Sequence, residues 1–155
     1  MQLQQVITRN PETVRPDDSI HSATVIMRDN RIGFLPVIDD GKVLGVVTDR
    51  DIIIRAIAGG YDPCKTVIRD VMTDNPVLLQ TTDSVELAIQ TMARYGIARI
   101  VVVDLTGKMV GVLSSGDAAT ACNGDEMAGQ LAVAIHRRAN RQQPLPWDGA
   151  QFVSD

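Results

Sequence analysis

Short apolar runs recur along the chain at spacings that predict two copies of the same set of elements. Phe34–Ile38 and Arg99–Val103 contain successive β-branched residues and predict strands. An extended piece, Thr13–Arg15 in one copy and Val77–Gln80 in the other, precedes a segment with apolar residues at helical spacing. After the strand, a turn with Asp and Gly leads into a second strand, as in a hairpin. A last helix gives each copy the order β-α-β-β-α.

The two sets of elements arise from an internal duplication. Val6–Pro11 and Val71–Pro76 share the pattern Val-x-Thr-x-Asn-Pro at an offset of 65 residues. Beyond a one-residue insertion in the hairpin turn the offset becomes 66, so that Asp51 corresponds to Asp117. Matches that keep the same order over two long segments indicate repetition of one structural unit.

The duplication defines the expected domain organisation. Repeat one spans residues 6–60 and repeat two spans residues 71–123, within a paired domain of residues 1–123, and residues 124–155 form a C-terminal helix and tail. The connection Gly59–Thr66 contains Gly-Gly and Asp-Pro, which end a helix and begin a turn. One repeat has too little core to be stable alone. We therefore expect an α+β fold in which the repeats pack as a pseudo-twofold pair and share one core.

Local signals refine the boundaries of these elements. Pro36 lies inside a predicted strand and lacks a backbone donor, so we expect that strand at a sheet edge or bulged there. Asp18 is expected to start the helix of repeat one. Asp83-x-x-Glu86 has the spacing of a capping box in repeat two, and Gly96 is a helix-ending residue.

A hydroxyl residue followed three positions later by Asp ends each hairpin: Thr48 and Asp51 in repeat one, Ser114 and Asp117 in repeat two. The structural interpretation is a helix cap. The functional interpretation is a nucleotide site, since a helix start offers free N–H groups to an anion. An Asp at that place accepts two hydrogen bonds, as the diol of a ribose requires. The two roles are compatible, and their recurrence in both repeats favours the functional one.

Residues after Cys122 fall outside the repeat. Asp125 is expected to cap a helix that runs to about Gln142. This helix either docks or forms a dimer contact, or else it presents a basic surface. The Pro-rich segment around Trp147 is either a loose tail or a strap against a partner. The apolar face of the helix and the cations at its end comprise Met127, Leu131, Ala134 and Ile135, and Arg137, Arg138 and Arg141.

Composition narrows the class of protein. With 155 residues, 45% hydrophobic and 22% charged, the chain is long enough for one domain with a core. The net charge of −4 argues against general nucleic-acid binding. The sequence shows neither a signal peptide nor an apolar run of spanning length, so we expect no membrane insertion and a cytoplasmic location. Cys64 and Cys122 lack metal-site spacing, and neither a metal nor a disulfide is expected.

The doubled β-α-β-β-α unit, with Gly, two apolar residues and Thr/Ser-x-x-Asp near each end, resembles the CBS domain. A tandem pair of these domains is called a Bateman module. Leu44–Ile52, followed by Gly60–Thr66 and Val71–Thr73, is similar to stand-alone bacterial CBS-pair proteins. The resemblance covers Val6–Asn123 and rests on several motifs that occur twice in order. It implies two clefts, each suited to an adenosine-containing ligand such as AMP, ADP, ATP or S-adenosylmethionine.

The resemblance also implies which residues line these clefts. In the family, the acid of one repeat holds the ribose, and strands of the other repeat frame the base. Neither a catalytic residue nor a required cofactor is implied. Carried over residue by residue, cleft one would use Val46, Thr48, Asp51, Val77, Leu78, Ala98 and Arg99. Cleft two would use Val112, Ser114, Asp117, Thr13, Gly33, Phe34 and Leu35.

The two clefts are expected to differ in charge. The family often places a basic residue just before the apolar strand, and Arg99 fills this place in repeat two, whereas repeat one has Phe34. A guanidinium binds phosphate through two donors. Gly116 also replaces Arg50. We predict that cleft one favours phosphorylated nucleotides, and that cleft two is empty, weaker or suited to a less charged adenosyl ligand. The structural alternatives are a surface ion pair for Arg99 and core packing for Phe34.

The leading functional prediction is a regulatory, ligand-sensing module with no chemistry of its own. The sequence contains no Walker-type phosphate loop, no nucleophile elbow and no metal-binding His pair. The resemblance implies a homodimer, and the sequence carries no output domain, so a separate regulated protein is expected. The alternative is a structural dimerisation or assembly adaptor that binds no nucleotide. An enzyme is a distant third.

Overall fold

The computed structural model describes residues 1–122, 129, 131–133 and 136, and these form a mixed α+β fold, as the sequence predicts. The strands are β1 (Thr8–Arg9), β2 (Phe34–Asp39), β3 (Lys42–Thr48), β4 (Thr73–Asp74), β5 (Leu78–Gln80), β6 (Arg99–Val103) and β7 (Met109–Ser114). The helices are α1 (Ile20–Asn30), α2 (an α-helical turn, Asp49–Asp51, continued by a π-helix, Ile52–Ile57), α3 (Val85–Tyr95) and α4 (Ser115–Ala121). Short 3₁₀ turns lie at Leu3–Gln5 and Ile68–Asp70.

The strands form two sheets that exchange one strand each. β2, β3 and β4 form an antiparallel sheet, and the second sheet has the order β1-β7-β6-β5, in which β5 and β6 run parallel. β1 comes from the start of repeat one but pairs with β7 of repeat two. β4 comes from the start of repeat two but pairs with β3 of repeat one. We call residues 3–9 and 68–74 the exchanged segments; the sequence pattern does not predict their exchange.

The exchange also divides the buried residues into two clusters. The first contains apolar residues of α1, β2, β3 and α2 together with Ile68 and Val71 of one exchanged segment. The second contains apolar residues of α3, β6, β7 and α4 together with Leu3 of the other. The expectation of one shared core is therefore wrong. Each half closes its own core with a segment of the other repeat, because β3 and β7 would otherwise be edge strands.

Gly45 and Gly111 let the exchanged segments approach their strands. A Cβ atom on Gly45 would lie 2.6 Å from the carbonyl oxygen of Thr73, and one on Gly111 would overlap the carbonyl oxygen of Thr8. These are the glycines that open the repeated motif in the sequence. The pairing of β3 with β4 and of β7 with β1 thus requires glycine at these positions. The helix start that follows each motif does not require it.

The starts and ends of the helices follow the sequence signals with one shift. Ser19 and Ser84 cap α1 and α3, since each hydroxyl accepts a bond from the backbone N–H three residues later. Asp18 and Asp83 instead accept bonds from the backbone three residues earlier. The predicted capping box Asp83-x-x-Glu86 is therefore absent, and the cap of α3 lies one residue later, at Ser84. Gly96 ends α3 with a φ of 64°, as predicted.

Pro36 lies in β2, the outer strand of its sheet, as its missing donor predicts. Its carbonyl accepts a hydrogen bond from Val14 N at 3.1 Å, on the side away from β3. The N and C=O of one strand residue point to the same side, so the ring nitrogen also faces away from β3. Pro36 therefore costs no bond in the β2–β3 ladder, whose register shift lies between Val37 and Ile38.

Both hairpin turns depend on Asp and Gly. Asp40 and Gly41 have φ values of 47° and 76°, as a two-residue type I′ turn requires. In the longer second turn, Asp104 Oδ1 accepts bonds from the hydroxyl and backbone of Thr106 and from Lys108 N. These bonds, first of all that from the Thr106 hydroxyl, lower the pKa of Asp104. The one-residue insertion in repeat two thus gives a longer turn that is stabilised by hydrogen bonds to the Asp104 side chain within it.

The C-terminal segment is described in part. Gly129, residues 131–133 and His136 have a helical backbone, and Leu131 is buried in the second cluster, which supports docking of this part of the predicted helix. The division into a domain ending at residue 123 and a separate tail stays a prediction. Within the part of the chain that the structure describes, no helix is long and apolar enough to span a membrane. The predictions for Met127, Ala134, Ile135, Arg137, Arg138, Arg141 and Trp147 concern positions outside the described residues.

The close approach at Gly111 predicts a loss of stability in Gly111→Ala. The added Cβ must displace β1 from β7, which costs about 1–3 kcal/mol, as overpacking does elsewhere. Urea unfolding measures this cost. Gly116→Ala is the matched control, because its Cβ would meet only Ser114 Oγ at 3.7 Å. Equal stability of the two variants would contradict the exchange of β1.

The burial of Leu3 predicts that its exchanged segment stabilises the half that contains the second cluster. Leu3 is 0% exposed, and its N–H donates to Asp83 O at 2.9 Å. Leu3→Ala should lower the free energy of unfolding by about 2–5 kcal/mol, because it leaves a cavity. Leu105→Ala, at a side chain 76% exposed, should change it by less than about 0.5 kcal/mol. Chemical denaturation of both variants tests the difference, and a neutral Leu3→Ala would show that the segment is not part of the core.

Candidate functional site

Cleft one is a hollow of about 540 Å³ between the two halves. The end of β3 and the start of α2 form one wall, and the β4–β5 and α3–β6 connections form the other. Its volume lies within the range of about 300–1,000 Å³ that is usual for small-molecule sites. Of the residues predicted for this cleft, the structure brings together Val46, Thr48, Asp51, Val77, Ala98 and Arg99.

The Thr48–Asp51 pair forms the predicted cap and faces the cleft as well. Asp51 N donates to Thr48 Oγ1 at 3.1 Å, and Thr48 N donates to Asp51 Oδ2 at 3.0 Å. The reciprocal bonds hold both side chains where β3 turns into α2. The structural and functional interpretations of this motif therefore apply to the same two residues, and one carboxylate oxygen remains for another partner.

That other carboxylate oxygen contacts Arg55, one helical turn further along α2. Arg55 Nη2 lies 3.5 Å from Asp51 Oδ1, and the two side chains are 14% and 17% exposed. Arg55 Nη1 donates to Val71 O at 2.9 Å and lies 3.3 Å from Thr73 Oγ1. Arg55 thus joins the acid of the cleft to an exchanged segment. Sequence reasoning missed it, although its i,i+4 spacing from Asp51 is a recognisable signal.

Cleft two is the counterpart of cleft one and measures about 330 Å³. Val112, Ser114, Asp117 and Phe34 line it, as predicted from the resemblance. Ser114 Oγ donates to Asp117 Oδ2 at 2.6 Å and accepts from Asp117 N at 3.1 Å. No basic side chain corresponds to Arg55 here, because Ala121 occupies its place.

Phe34 and Arg99 line both clefts and mark the boundary between them. They begin β2 and β6 and correspond to each other in the duplication. Neither structural alternative is therefore sufficient: Phe34 is only half-buried, and no ion pair with an acid is recorded for Arg99 among the described residues. Arg99 is exposed, and of the described residues it is the one cation that lines both clefts, so it is accessible to a ligand in either of them.

Leu78 and Thr13, which correspond in the two repeats, line neither cleft. Each follows a residue that does line one, namely Val77 and Glu12. Successive residues of an extended chain point to opposite sides, so a one-residue difference moves the side chain away from the cleft. In cleft one the prediction named Val77 correctly and added Leu78, and in cleft two it named Thr13 one position after Glu12.

Gly33 and Leu35 also lie outside cleft two. Leu35 is fully buried in the first core cluster, since in β2 it points to the face opposite Phe34 and Pro36. Gly33 faces Asp49 at the start of α2, whose backbone N–H donates to Gly33 O at 3.1 Å. Its missing side chain makes room for the Asp49 carboxylate, so Gly33 allows the start of β2 to pack against α2.

Some of the lining residues that the sequence prediction missed belong to the exchanged segments and to the chain just beyond them. They enter the clefts because β4 and β1 cross to the other repeat, and no local pattern reports such a crossing. The repeat did contain one signal, the shared Thr-x-Asn-Pro motif. The missed positions of this kind are Thr73, Asn75 and Pro76 in cleft one and Thr8, Asn10, Pro11 and Glu12 in cleft two. The other missed positions are Phe34, Arg50, Arg55, Tyr95, Gly96, Ile97 and Val101 in cleft one and Asn30, Ile32, Pro36 and Arg99 in cleft two.

The charges that line the two clefts are opposite in sign. Among the described residues, cleft one has Arg50, Arg55 and Arg99 against the single acid Asp51. Cleft two has Arg99 against Glu12 and Asp117. The balance is +2 in cleft one and −1 in cleft two, so an anionic ligand is favoured in cleft one. Among the described residues, no three His, Cys, Asp or Glu side chains gather closely enough to hold a metal ion.

Comparison with known proteins matches both repeats to the same family. The CBS domain family model matches residues 3–57 and 68–124. Both matches include an exchanged segment, although that segment packs in the other half. The CBS domain-containing protein YhcV of Bacillus subtilis strain 168 is 34% identical over 133 residues, which cover 86% of this chain and 94% of YhcV.

Two similar solved structures contain adenosyl ligands. CBSX2 in complex with AMP superposes with a TM-score of 0.68 at 28% identity, covering 77% of this chain and 94% of CBSX2. The CBS domain pair of protein MJ0100, in complex with 5′-methylthioadenosine and S-adenosyl-L-methionine, gives a TM-score of 0.69 at 28% identity. It covers 77% of this chain and 94% of that one.

Proposed function

The chain belongs to the CBS domain family, and on that premise we propose that it is a regulatory module that binds an adenosine nucleotide in cleft one. Nucleotide binding would signal to a separate partner protein. CBS pairs similar to this chain bind AMP in one case and S-adenosylmethionine in another, which supports an adenosyl ligand. We assign AMP, ADP or ATP to cleft one because of its charge.

The observation that carries this assignment is the pairing of one carboxylate with three arginines in a cleft between the repeats. Ribose hydroxyls would donate to Asp51, whose position the Thr48 cap holds in advance. Arg99 and Arg50 are exposed cations at the same cleft, and a guanidinium suits a phosphate. Val46, Val77 and Ala98 would provide the apolar surface for the base.

Cleft two suits a different ligand or none. Its acids Glu12 and Asp117 repel a phosphate, while Asp117 and Ser114 keep the hydrogen-bonding groups of the motif. We propose that cleft two accepts a less charged adenosyl ligand or stays weaker than cleft one.

The remaining features of the proposal concern the assembly and chemistry of the protein. We propose that the protein is a cytoplasmic homodimer. We also propose that it has no enzymatic activity, since Asp51 and Asp117 line separate clefts and do not form an acid–base pair. Ile53 and Ile57 of α2 are exposed apolar side chains, as is Leu87 of α3. The same apolar side chains favour the second candidate function, a dimerisation or assembly adaptor that binds no nucleotide.

Calorimetric titration of the protein with AMP and with adenosine tests the assignment of cleft one. Wild-type protein should bind AMP more tightly than adenosine. Arg99→Ala should weaken AMP binding by roughly 10- to 100-fold, the effect of losing a hydrogen bond to a charged group, and adenosine binding much less. Asp51→Ala should weaken both ligands. Unchanged AMP affinity in both variants would sink the assignment.

Thermal melts separate the sensor from the adaptor. A ligand that binds the folded state at about 100 times its Kd adds about 2.7 kcal/mol of stability. In a chain of this size that raises Tm by roughly 5–10 °C. We expect this rise with AMP, ADP or ATP. No rise with any of them or with S-adenosylmethionine, in a protein that size-exclusion chromatography shows to be dimeric, would favour the adaptor.

A further inference from the structure

Arg55 makes contacts that a surface arginine would not make. Its side chain is 14% exposed, and its two terminal nitrogens contact three groups from two parts of the chain. One is the Asp51 carboxylate on the same helix. The others are the Val71 carbonyl and the Thr73 hydroxyl in the exchanged segment of repeat two. The guanidinium therefore lies at the junction of the cleft acid and the strand that crosses into this half.

We propose that Arg55 is a positioning residue that holds the Asp51 carboxylate for a ligand in cleft one. The inference rests on the proposed function, since it concerns how the same cleft binds the ribose of an adenosine nucleotide. Thr48 N donates a hydrogen bond to one oxygen of Asp51, and Arg55 forms an ion pair with the other. A carboxylate held at both oxygens loses little freedom when hydroxyl groups donate to it, so less affinity is lost to ordering.

The same residue fixes the opposite wall of the cleft. The bond from Arg55 to Val71 O anchors the exchanged segment just before β4, and Asn75–Val77, which line the cleft, follow directly. Arg55 thereby sets the distance between the acid that would hold the ribose and the chain that would contact the base. A ligand that spans both walls meets them already in place.

The partly desolvated setting makes the Asp51–Arg55 pair effective. Both side chains are more than four-fifths buried, so water screens their attraction less than at an exposed pair. Arg55 Nε is buried and has no hydrogen-bond partner among the described residues, so the guanidinium is held by its terminal nitrogens alone. The residue also lies in the π-helical part of α2, a helix form that is frequent at functional sites.

Cleft two provides an internal comparison. Ala121 stands where Arg55 stands in repeat one, and α4 is described as an α-helix with no π-helical turn. Asp117 is exposed, and its carboxylate is bonded to Ser114 of its own helix start. Within the described part of the chain, the positioning device is therefore confined to cleft one, which adds a geometric difference to the difference in charge.

Calorimetry with AMP and adenosine on Arg55 variants tests the proposal. Arg55→Met should weaken AMP and adenosine by the same factor, roughly 10- to 100-fold, because the effect acts through the carboxylate that both ligands use. Arg55→Lys should recover part of the loss, since an ammonium can pair with Asp51 but cannot bond Val71 O at the same time. Arg28→Met, which removes an exposed arginine paired with Asp29, is the control and should bind as the wild type does.

A double-mutant cycle separates positioning from a structural role. In an Asp51→Asn background, Arg55→Met should weaken adenosine binding by a smaller factor than in the wild type, because the charge that it positions is gone and only the anchoring of the exchanged segment is lost. An equal loss in both backgrounds would show that Arg55 only supports the fold. A loss for AMP without a loss for adenosine would show a direct phosphate contact, and either result overturns the proposal. Melts of each variant confirm folding, and Arg55→Lys carries the test if Arg55→Met is unfolded.

The outcome for wild-type protein distinguishes this inference from the function on which it rests. If the wild type binds neither ligand, the proposed function fails and the inference fails with it. If the wild type binds and both Arg55→Met and Arg55→Lys bind as tightly as the wild type, the inference alone is overturned.

Discussion

The pairing of each exchanged segment with the hairpin of the other repeat is the contact on which the rest of the structure depends. It completes both sheets, places Leu3 in one core and Ile68 in the other, and holds the two halves in one arrangement. The pairing is possible because Gly45 and Gly111 leave space for a backbone carbonyl. The duplicated sequence thus folds into two interlocked halves, and neither repeat alone supplies all the residues of one core.

The same exchange creates the clefts. After β4 the chain turns along one wall of cleft one, and after β1 it does so along cleft two, so equivalent residues line both. Equivalent positions nevertheless carry different side chains: Arg50 against Gly116, Arg55 against Ala121 and Arg99 against Phe34. Gly116 and Ala121 lack the cations that their counterparts in repeat one carry. Arg99 is the reverse case: the cation is in repeat two, at the boundary between the clefts. Duplication thus supplies the shape twice, and substitution makes the two sites chemically unequal.

The sequence predicted what depends on local pattern. The hairpins, the helix ends and the position of Thr48 and Asp51 follow from turn residues, capping and alternation, and the structure contains them. The sequence did not predict the exchange, because β1 and β4 have only two residues each and their local pattern does not indicate which strand they pair with. The errors at Leu78 and Leu35 have a related cause: a cleft contact depends on strand phase, and one residue of error reverses the side. The contact of Arg55 with Asp51 could have been predicted, since an Arg four residues after an Asp on a helix predicts an ion pair.

The central claim is that the acid of repeat one and the chain beyond β4 hold one adenosine nucleotide between them. A crystal structure of the protein grown with AMP tests it most directly. The account predicts AMP in cleft one, with its ribose hydroxyls on the Asp51 carboxylate and its phosphate beside Arg99. Nucleotide found elsewhere on the protein, or in cleft one with the ribose turned away from Asp51, would contradict it.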